Sequence, residues 1–249
     1  MRQLLHVIGS FVQSVGVEGR DATLWAMGEV MDWDKAYRGE LFLGPPPWNI
    51  GAPQPEILTL VDQGDVHGPI LDAGCGIGDL ALALAERGYD VTGVDISTVA
   101  IAEAEAAAAA RGLSTVQFLQ GDVRRLDDLG LPHRFNTVFD CTLFHSLPVD
   151  GRDDYMRGIY AAAEPGAALY LLVFTTEALP PDSPFPIPNL VTEAEVTEAV
   201  AKYWSDVRLQ PASVAVKPPE FPGHPERNFP TDELGLTNLP ALLLAARKS

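Results

Sequence analysis

Residues 70–79 read ILDAGCGIGD, an apolar run that opens directly into glycines at every second position, Gly74, Gly76 and Gly78, framed by Asp72 and Asp79. A strand that ends in a bared backbone is the first half of a nucleotide-binding strand–turn–helix unit, so the chain is committed to an α/β fold with a ligand against that turn. The spacing sorts the candidates. A dinucleotide fingerprint, Gly-x-Gly-x-x-Gly counted from Gly74 and Gly76, needs glycine at position 79, where Asp79 stands. A P-loop needs Gly-Lys-Ser/Thr, which does not follow, and the flanking acids would repel a pyrophosphate.

The segments downstream alternate in the way that yields a mostly parallel sheet covered on both faces. VHGPILDAG reads as a first strand, DLALALAERG as a helix closed by Gly88, and YDVTGVDI as a second strand. A helix of strong formers follows, from a Ser97 N-cap through the alanine run to Gly112. TVQFLQGDV and FNTVFDCTLFHSL are the third and fourth strands. DDYMRGIYAAAEPG is a helix ended by Pro165-Gly166, and AALYLLVFTT is the fifth strand. TEAEVTEAVAKYW is a further helix, and DVRLQPASVAV and NLPALLLAARK are two terminal strands that predict an antiparallel hairpin. The expectation is a doubly wound, seven-stranded, mostly parallel sheet over residues 66–249, preceded by an extension and site cover at 1–65. The proline-rich stretches LPPDSPFPIPNL and KPPEFPGHPERNFP are loops; the first is placed to be a lid, the second equally to be a stiff connector.

Composition narrows the partners. A net charge of −17 on 249 residues repels phosphate backbones and anionic membrane surfaces, so neither nucleic acid nor membrane is expected. The two cysteines, Cys75 and Cys141, form no CxxC pair or disulfide framework, which fits a reducing cytoplasm. At the N-terminus, His6, Ser10, Gln13 and Ser14 interrupt the apolar run. Leu4, Leu5, Ile8, Phe11, Val12 and Val15 recur at helical spacing, so this is read as an amphipathic helix rather than a secretion leader or a membrane span.

The run Asp-x-Gly-x-Gly-x-Gly resembles motif I of the class I S-adenosylmethionine-dependent methyltransferases. The resemblance implies that Gly74, Cys75, Gly76 and Gly78 form the turn along which the methionine part of the cofactor passes, and that Asp72 helps hold its amino group. Roughly twenty residues on, Asp95 at the end of the second strand is placed to accept from both ribose hydroxyls. In LQGDV, the resemblance gives Asp122 to the adenine amino group and the Val123 N–H to a ring nitrogen, with Ile96 against the adenine face. The implied product is S-adenosylhomocysteine. Each acid taken alone is also an ordinary strand-end turn residue.

Upstream, MDWDKAYRGELFLGPPPWNIGAPQPEI resembles the N-terminal segment of the thiopurine S-methyltransferase superfamily, nearest to bacterial heterocyclic toxin methyltransferases. Trp33, Tyr37, Phe42 and Trp48 lie among prolines and glycines rather than on a helical stripe. They are read as an aromatic wall over cofactor and acceptor, or as staples of the extension. Gln54 is expected to reach the methionine end and Trp48 to shield the sulfonium. In DCTLFHSLP, Asp140, Cys141, Phe144 and His145 stand where family members line the methyl-transfer site, with Asp140 toward the cofactor and Phe144 toward the acceptor. His145 is a candidate general base or a structural histidine, and Cys141 a buried small residue.

The reading is a methyltransferase, monomer or homodimer, that uses no metal and transfers to O, N or S of a small heteroaromatic or phenolic acceptor, in the manner of quinolone detoxification. Asp140, Asp150, Asp153 and Asp154 read as caps and dipole partners rather than magnesium ligands. Two alternatives remain: thiol, halide or thiopurine S-methylation, and a non-catalytic cofactor-binding subunit.

Overall fold

The computed structural model describes residues 31–42, 44–179, 189–218 and 230–249. The expected N-terminal amphipathic helix and most of both proline-rich loops, the candidate lid included, lie outside these residues.

Seven strands form one sheet: β1 (Ile70–Ala73), β2 (Val91–Asp95), β3 (Val116–Gln120), β4 (Phe135–Cys141), β5 (Ala163–Phe174), β6 (Ser205–Val216) and β7 (Thr237–Arg247). Their order is β3-β2-β1-β4-β5-β7-β6. The first five pair in parallel, while β7 runs antiparallel to both β5 and β6. The helices are α1 (Trp33–Tyr37), α2 (Pro55–Gln63), α3 (Asp79–Glu86), α4 (Thr98–Arg111), α5 (Arg152–Ala162) and α6 (Glu193–Ala201).

Side chains alternate across a strand, so each central strand feeds two cores. Ile70 and Phe139 pack with Ile57 of α2, Leu80 and Leu84 of α3 and Ile101 and Ala104 of α4. Leu71 and Val138 face the other way, against Tyr155, Met156 and Ile159 of α5 and Val196 and Val200 of α6. This double covering is why β1 and β2 are buried at every position, with Asp72, Thr92 and Asp95 their only polar side chains. The alanine-rich α4 shows its small face to the sheet through Ala100, Ala104 and Ala108. As expected, Ser97 caps it by accepting from the Ala100 N–H, and Gly112 ends it in the left-handed conformation.

Two expectations are corrected, and one helix is added. The helix before β5 stops at Ala162, and Pro165-Gly166 lie inside β5. The β4–β5 register breaks between Phe135↔Ala163 and Thr137↔Ala168, and this bulge is where a strand tolerates a residue with no N–H. Trp33 and Tyr37 do sit on a helix, the single turn and a half of α1, one above the other at i and i+4. The segment after Gln54, given no structure in the sequence reading, is α2; Pro55 opens it and Gly64 closes it.

Candidate active site

The strand order reverses at β1, with β2 on one side and β4 on the other, and a crevice opens beyond the carboxyl ends of the strands at such a switch point. A cleft of about 1370 Å³, counting its open mouth, lies there. It is lined by the glycine turn, the ends of β2 and β4, the segments after β3 and β4, and the aromatic cover.

The glycine turn curls back on β2, where the Gly74 and Cys75 N–H groups both donate to the Val94 carbonyl, at 2.8 and 3.1 Å. Gly74 and Gly76 have φ of 71° and 54°. A methyl group on Gly74 would stand 2.9 Å from Leu143, and one on Gly76 would stand 2.5 Å from the Tyr37 hydroxyl. Gly78 is a different case: it is the N-cap of α3, and its added carbon would strike Phe118 at 2.7 Å, so it serves helix–sheet packing and does not line the cleft.

Asp72, on β1, is 2% exposed and lines the cleft, and its Oδ2 has no hydrogen-bond partner. Burial pushes its carboxyl up to about 7, and the charges of Asp95 and Asp140 add to the shift. An orphaned carboxylate oxygen at a cleft wall is a receptor for a cationic donor, and the amino group of S-adenosylmethionine is one. Asp95 closes β2. Its Oδ2 accepts from the Gly76 N–H and its Oδ1 from the Ser97 N–H, both at 2.9 Å, which leaves lone pairs on each oxygen toward the cleft. Burial raises its carboxyl against these hydrogen bonds.

Beyond β3, Asp122 caps a short 3₁₀ stretch by accepting from the Arg124 N–H at 3.0 Å, and the Arg124 guanidinium grips both its oxygens, Nη2 at 2.6 Å from Oδ2. The arginine holds this carboxyl below its usual range. Asp122, Val123 and Arg124 all line the cleft, as does Ile96, 42% exposed. Asp122 is thus shared with an arginine that the sequence reading did not consider, although the Asp-x-Arg spacing of a bidentate pair was there to see.

The cover is fixed from two sides. Asp34 of α1 accepts from Ser97 Oγ at 2.7 Å, Thr98 Oγ1 at 2.8 Å and the Val99 N–H at 3.3 Å. On the other side, the Lys217 N–H donates to the Pro47 carbonyl at 2.8 Å. Trp33 meets Trp48 edge to face at 6.0 Å, and Phe42 meets Trp48 at 5.5 Å. Trp33, Tyr37 and Trp48 line the cleft; Phe42 stands behind Trp48 and does not. Gln54 lines it too, but its side-chain amide pairs with both the N–H and the carbonyl of Ala215, at 2.8 and 2.9 Å. The observed role of that amide is to join the cover to β6 rather than to reach into the cleft.

At the end of β4, Asp140 is fully buried and off the cleft wall. It accepts from the Leu143 and Phe144 N–H groups and, at 2.7 Å, from the Tyr155 hydroxyl. Burial pushes it up to about 6. Asp140 therefore shapes the following turn instead of facing a ligand. Phe144 is likewise in the core, beside Tyr155. Cys141 and His145 do line the cleft, and burial holds the Cys141 thiol far above its usual range. His145 is 3% exposed, its Nδ1 accepts from the Phe174 N–H at 3.4 Å, and burial with the nearby Arg152 cation pushes it down to about 3. Phe174, at the end of β5, is a wall residue the sequence reading missed because an apolar strand end carries no polar signature.

A parallel sheet with a β7 reversal, a glycine turn at the switch point and acids at the ends of β1 and β2 define a class I methyltransferase. Residues 70–166 match the family described as Methyltransferase domain. The chain belongs to the class I S-adenosylmethionine-dependent methyltransferases and is an enzyme that uses S-adenosylmethionine. It is 47% identical over 183 residues to a 2-heptyl-1-hydroxyquinolin-4(1H)-one methyltransferase of Mycobacteroides abscessus, a match covering 72% of this chain and 79% of the relative. A structure solved in work on the conversion of a disulfide bond into a thioacetal group during echinomycin biosynthesis is 31% identical, with TM-score 0.73, over 87% of this chain and 91% of that one. The Burkholderia thailandensis 1,6-didemethyltoxoflavin-N1-methyltransferase, solved with its heterocycle and S-adenosylhomocysteine, shares the fold at 22% identity and TM-score 0.62, over 96% and 98% of the two chains.

Proposed function

We propose that the protein methylates an oxygen, nitrogen or sulfur of a small apolar heteroaromatic or phenolic acceptor, with quinolone-like N-hydroxy compounds the first choice. The observation that carries the reading is the composition of the cleft beyond the glycine turn. Trp33, Trp48, Leu143, Leu147, Pro148 and Phe174 make an apolar, aromatic-faced slot in the cleft that also holds the unpartnered Oδ2 of Asp72. A flat apolar ring gains affinity by leaving water for such walls. The likeness to the 1-hydroxyquinolone enzyme of Mycobacteroides abscessus supports the same acceptor class.

The cofactor supplies an already activated methyl group. In this reading Asp72 holds the amino end, Asp95 the ribose, and Asp122, Val123 and Ile96 the adenine, while Gly74, Cys75 and Gly76 let the chain of the cofactor pass close. Trp33, Tyr37 and Trp48 roof the meeting point and exclude water. What remains for the protein is alignment of the acceptor, an effect worth roughly 7–11 kcal/mol of barrier. Sulfur as the acceptor atom is a second reading, supported by the likeness to the echinomycin-related structure, whose described chemistry is at sulfur. No helix among the described residues is long and apolar enough to cross a membrane. We place the enzyme in the cytoplasm, as a monomer or homodimer acting on small molecules rather than nucleic acid, in a detoxifying role.

The test is purified protein with methyl-labelled S-adenosylmethionine and a panel of 1-hydroxyquinolones, phenols, thiols and halide ions, read by product mass. Methylation of a heteroaromatic hydroxyl above all other classes is expected. Tight S-adenosylhomocysteine binding with no turnover of any panel member would leave the non-catalytic alternative standing.

A further inference from the structure

We propose that the acceptor end of the cleft takes its substrate as an anion, with His145 serving there as a hydrogen-bond donor through Nε2–H and not as a proton acceptor. The substrate class is then a heteroaromatic compound whose nucleophilic oxygen or sulfur ionises near neutral pH. This rests on the methyltransferase reading above and adds to it the ionisation state of the acceptor.

Three observations carry it. His145 Nδ1 accepts from the Phe174 N–H, and in a neutral imidazole whose Nδ1 accepts, the proton sits on Nε2. Nε2 has no protein partner among the described residues, and the ring lines the cleft, so the ring offers the acceptor a donor and no lone pair. For Nε2 to take a proton the ring must first carry one on Nδ1, which would then face the Phe174 N–H, donor against donor. Burial and the Arg152 charge act in the same direction, keeping the ring neutral.

The third observation is Arg152 itself. It begins α5, directly behind the turn that carries His145, and is 8% exposed, with its guanidinium 4.9 Å from the Phe144 ring centroid. Its Nη2 donates to the Asn189 carbonyl, its Nε is without a partner, and it makes no salt bridge to a carboxylate among the described residues. A buried cation that forms no ion pair with a carboxylate among the described residues, in a chain of net charge −17, favours an anion nearby. Of the acids on neighbouring elements, Glu195 of α6 acts on it through space without bonding it. Asp140 of β4 is engaged by Tyr155 and two N–H groups, Asp72 of β1 belongs to the cofactor end, and Glu195 of α6 bonds Thr192. The Cys141 thiol stays protonated.

With an ionised acceptor the transfer balances without a base. A lone pair on the acceptor oxygen forms the O–C bond while the C–S bond breaks onto sulfur, so an anion and a sulfonium give two products of lower charge and no proton needs a place on the protein.

The experiment titrates 2-heptyl-1-hydroxyquinolin-4(1H)-one by its absorption spectrum, free and bound to the complex of the protein with S-adenosylhomocysteine. Bound compound is expected to ionise at least about one pH unit below the free compound. His145→Gln, which keeps an N–H near the position of Nε2, should retain most of that displacement, and His145→Ala should lose much of it. The pH dependence of kcat/KM should follow the acceptor's ionisation in both the wild type and His145→Gln. A bound compound that stays neutral where the free one is ionised overturns the inference, as does a His145→Gln profile that lacks an ionisation present in the wild type. A wild type that neither binds nor methylates the quinolone overturns the acceptor reading and this inference with it, whereas methylation of a bound neutral form overturns the inference alone.

Discussion

The carboxylate of Asp34 closes on the hydroxyl of Ser97, the residue that caps α4, at 2.7 Å. Cover and cofactor end are thereby tied together, because the Ser97 N–H is also held by Asp95, the acid assigned to the ribose. Asp34→Ala removes three hydrogen bonds at one point, each worth about 0.5–1.5 kcal/mol net. The expected result is a stability loss of about 1–2 kcal/mol, a several-fold weaker S-adenosylhomocysteine affinity by calorimetry, and a red shift of the Trp33 and Trp48 fluorescence as the cover loosens. Unchanged affinity and fluorescence would show that α1 is held by its aromatic contacts alone.

Asp72 gives a prediction with a definite sign in pH. Its native carboxyl lies at about 7, above the 3.8 of an unperturbed Asp. The native state therefore keeps a proton that the unfolded chain releases, and the stability this provides is present below about pH 4 and lost as pH rises through about 7. Asp72→Asn should make the ligand-free protein more stable at alkaline pH, by an amount under a ceiling of about 4 kcal/mol and smaller because Asp95 and Asp140 share the shift. The same change should abolish tight cofactor binding. In the wild type, binding of the cationic amino group should release a proton near pH 6, visible as a dependence of the calorimetric heat on buffer ionisation enthalpy. Melting temperatures that fall for Asp72→Asn at every pH would contradict the assignment.

Asp95 should respond in the opposite way to the same isosteric change. Both its oxygens accept backbone N–H groups, from Gly76 and Ser97. An asparagine must turn its NH₂ toward one of them, leaving a buried donor facing a donor at about 1–3 kcal/mol. Asp95→Asn is therefore expected to lower stability as well as cofactor affinity, and a variant as stable as the wild type would remove Asp95 from the turn's scaffold.

The contrast between these two acids marks what could be read from the sequence. The sheet class, the succession of strands and helices along the chain, and the acids at or just beyond the ends of β1, β2 and β3 follow from local signals: apolar runs, glycines, Ser97 and Gly112 at the helix ends. Which acid is free and which is already bonded depends on contacts between distant segments, such as Asp34 with Ser97 and Gln54 with Ala215. Those contacts leave no periodic trace. The same holds for Asp140, whose place at a strand end matches a ligand residue and whose three hydrogen bonds make it a structural one. It holds for His145 as well, where chemistry rests on the nitrogen that the Phe174 N–H occupies. The bulge that hides Pro165 inside β5 is settled by β4 pairing, which overrides proline's usual meaning as a stop.

Gly76 and Tyr37 offer a test of the cover against the turn by a double-mutant cycle. Gly76 has φ of 54°, and a carbon added to it would stand 2.5 Å from the Tyr37 hydroxyl but 3.4 Å from the ring carbon that bears it. Gly76→Ala thus carries two costs: the left-handed backbone, on the order of 1 kcal/mol, and a collision with one oxygen atom. Tyr37→Phe removes that oxygen, and with it the hydrogen bond to the Trp48 side chain, a cost that the cycle subtracts; the ring carbon at 3.4 Å is already at ordinary contact. The combination is expected to be more stable than the sum of the single changes by about 1 kcal/mol or more, within the range of coupling between residues in contact. Cofactor affinity should recover in part in the same double variant, because the restored packing returns α1 to its place over the turn. Additive losses in both stability and affinity would mean that Tyr37 moves aside freely, and that α1 is not held closed over Gly76 in the protein before its ligands arrive.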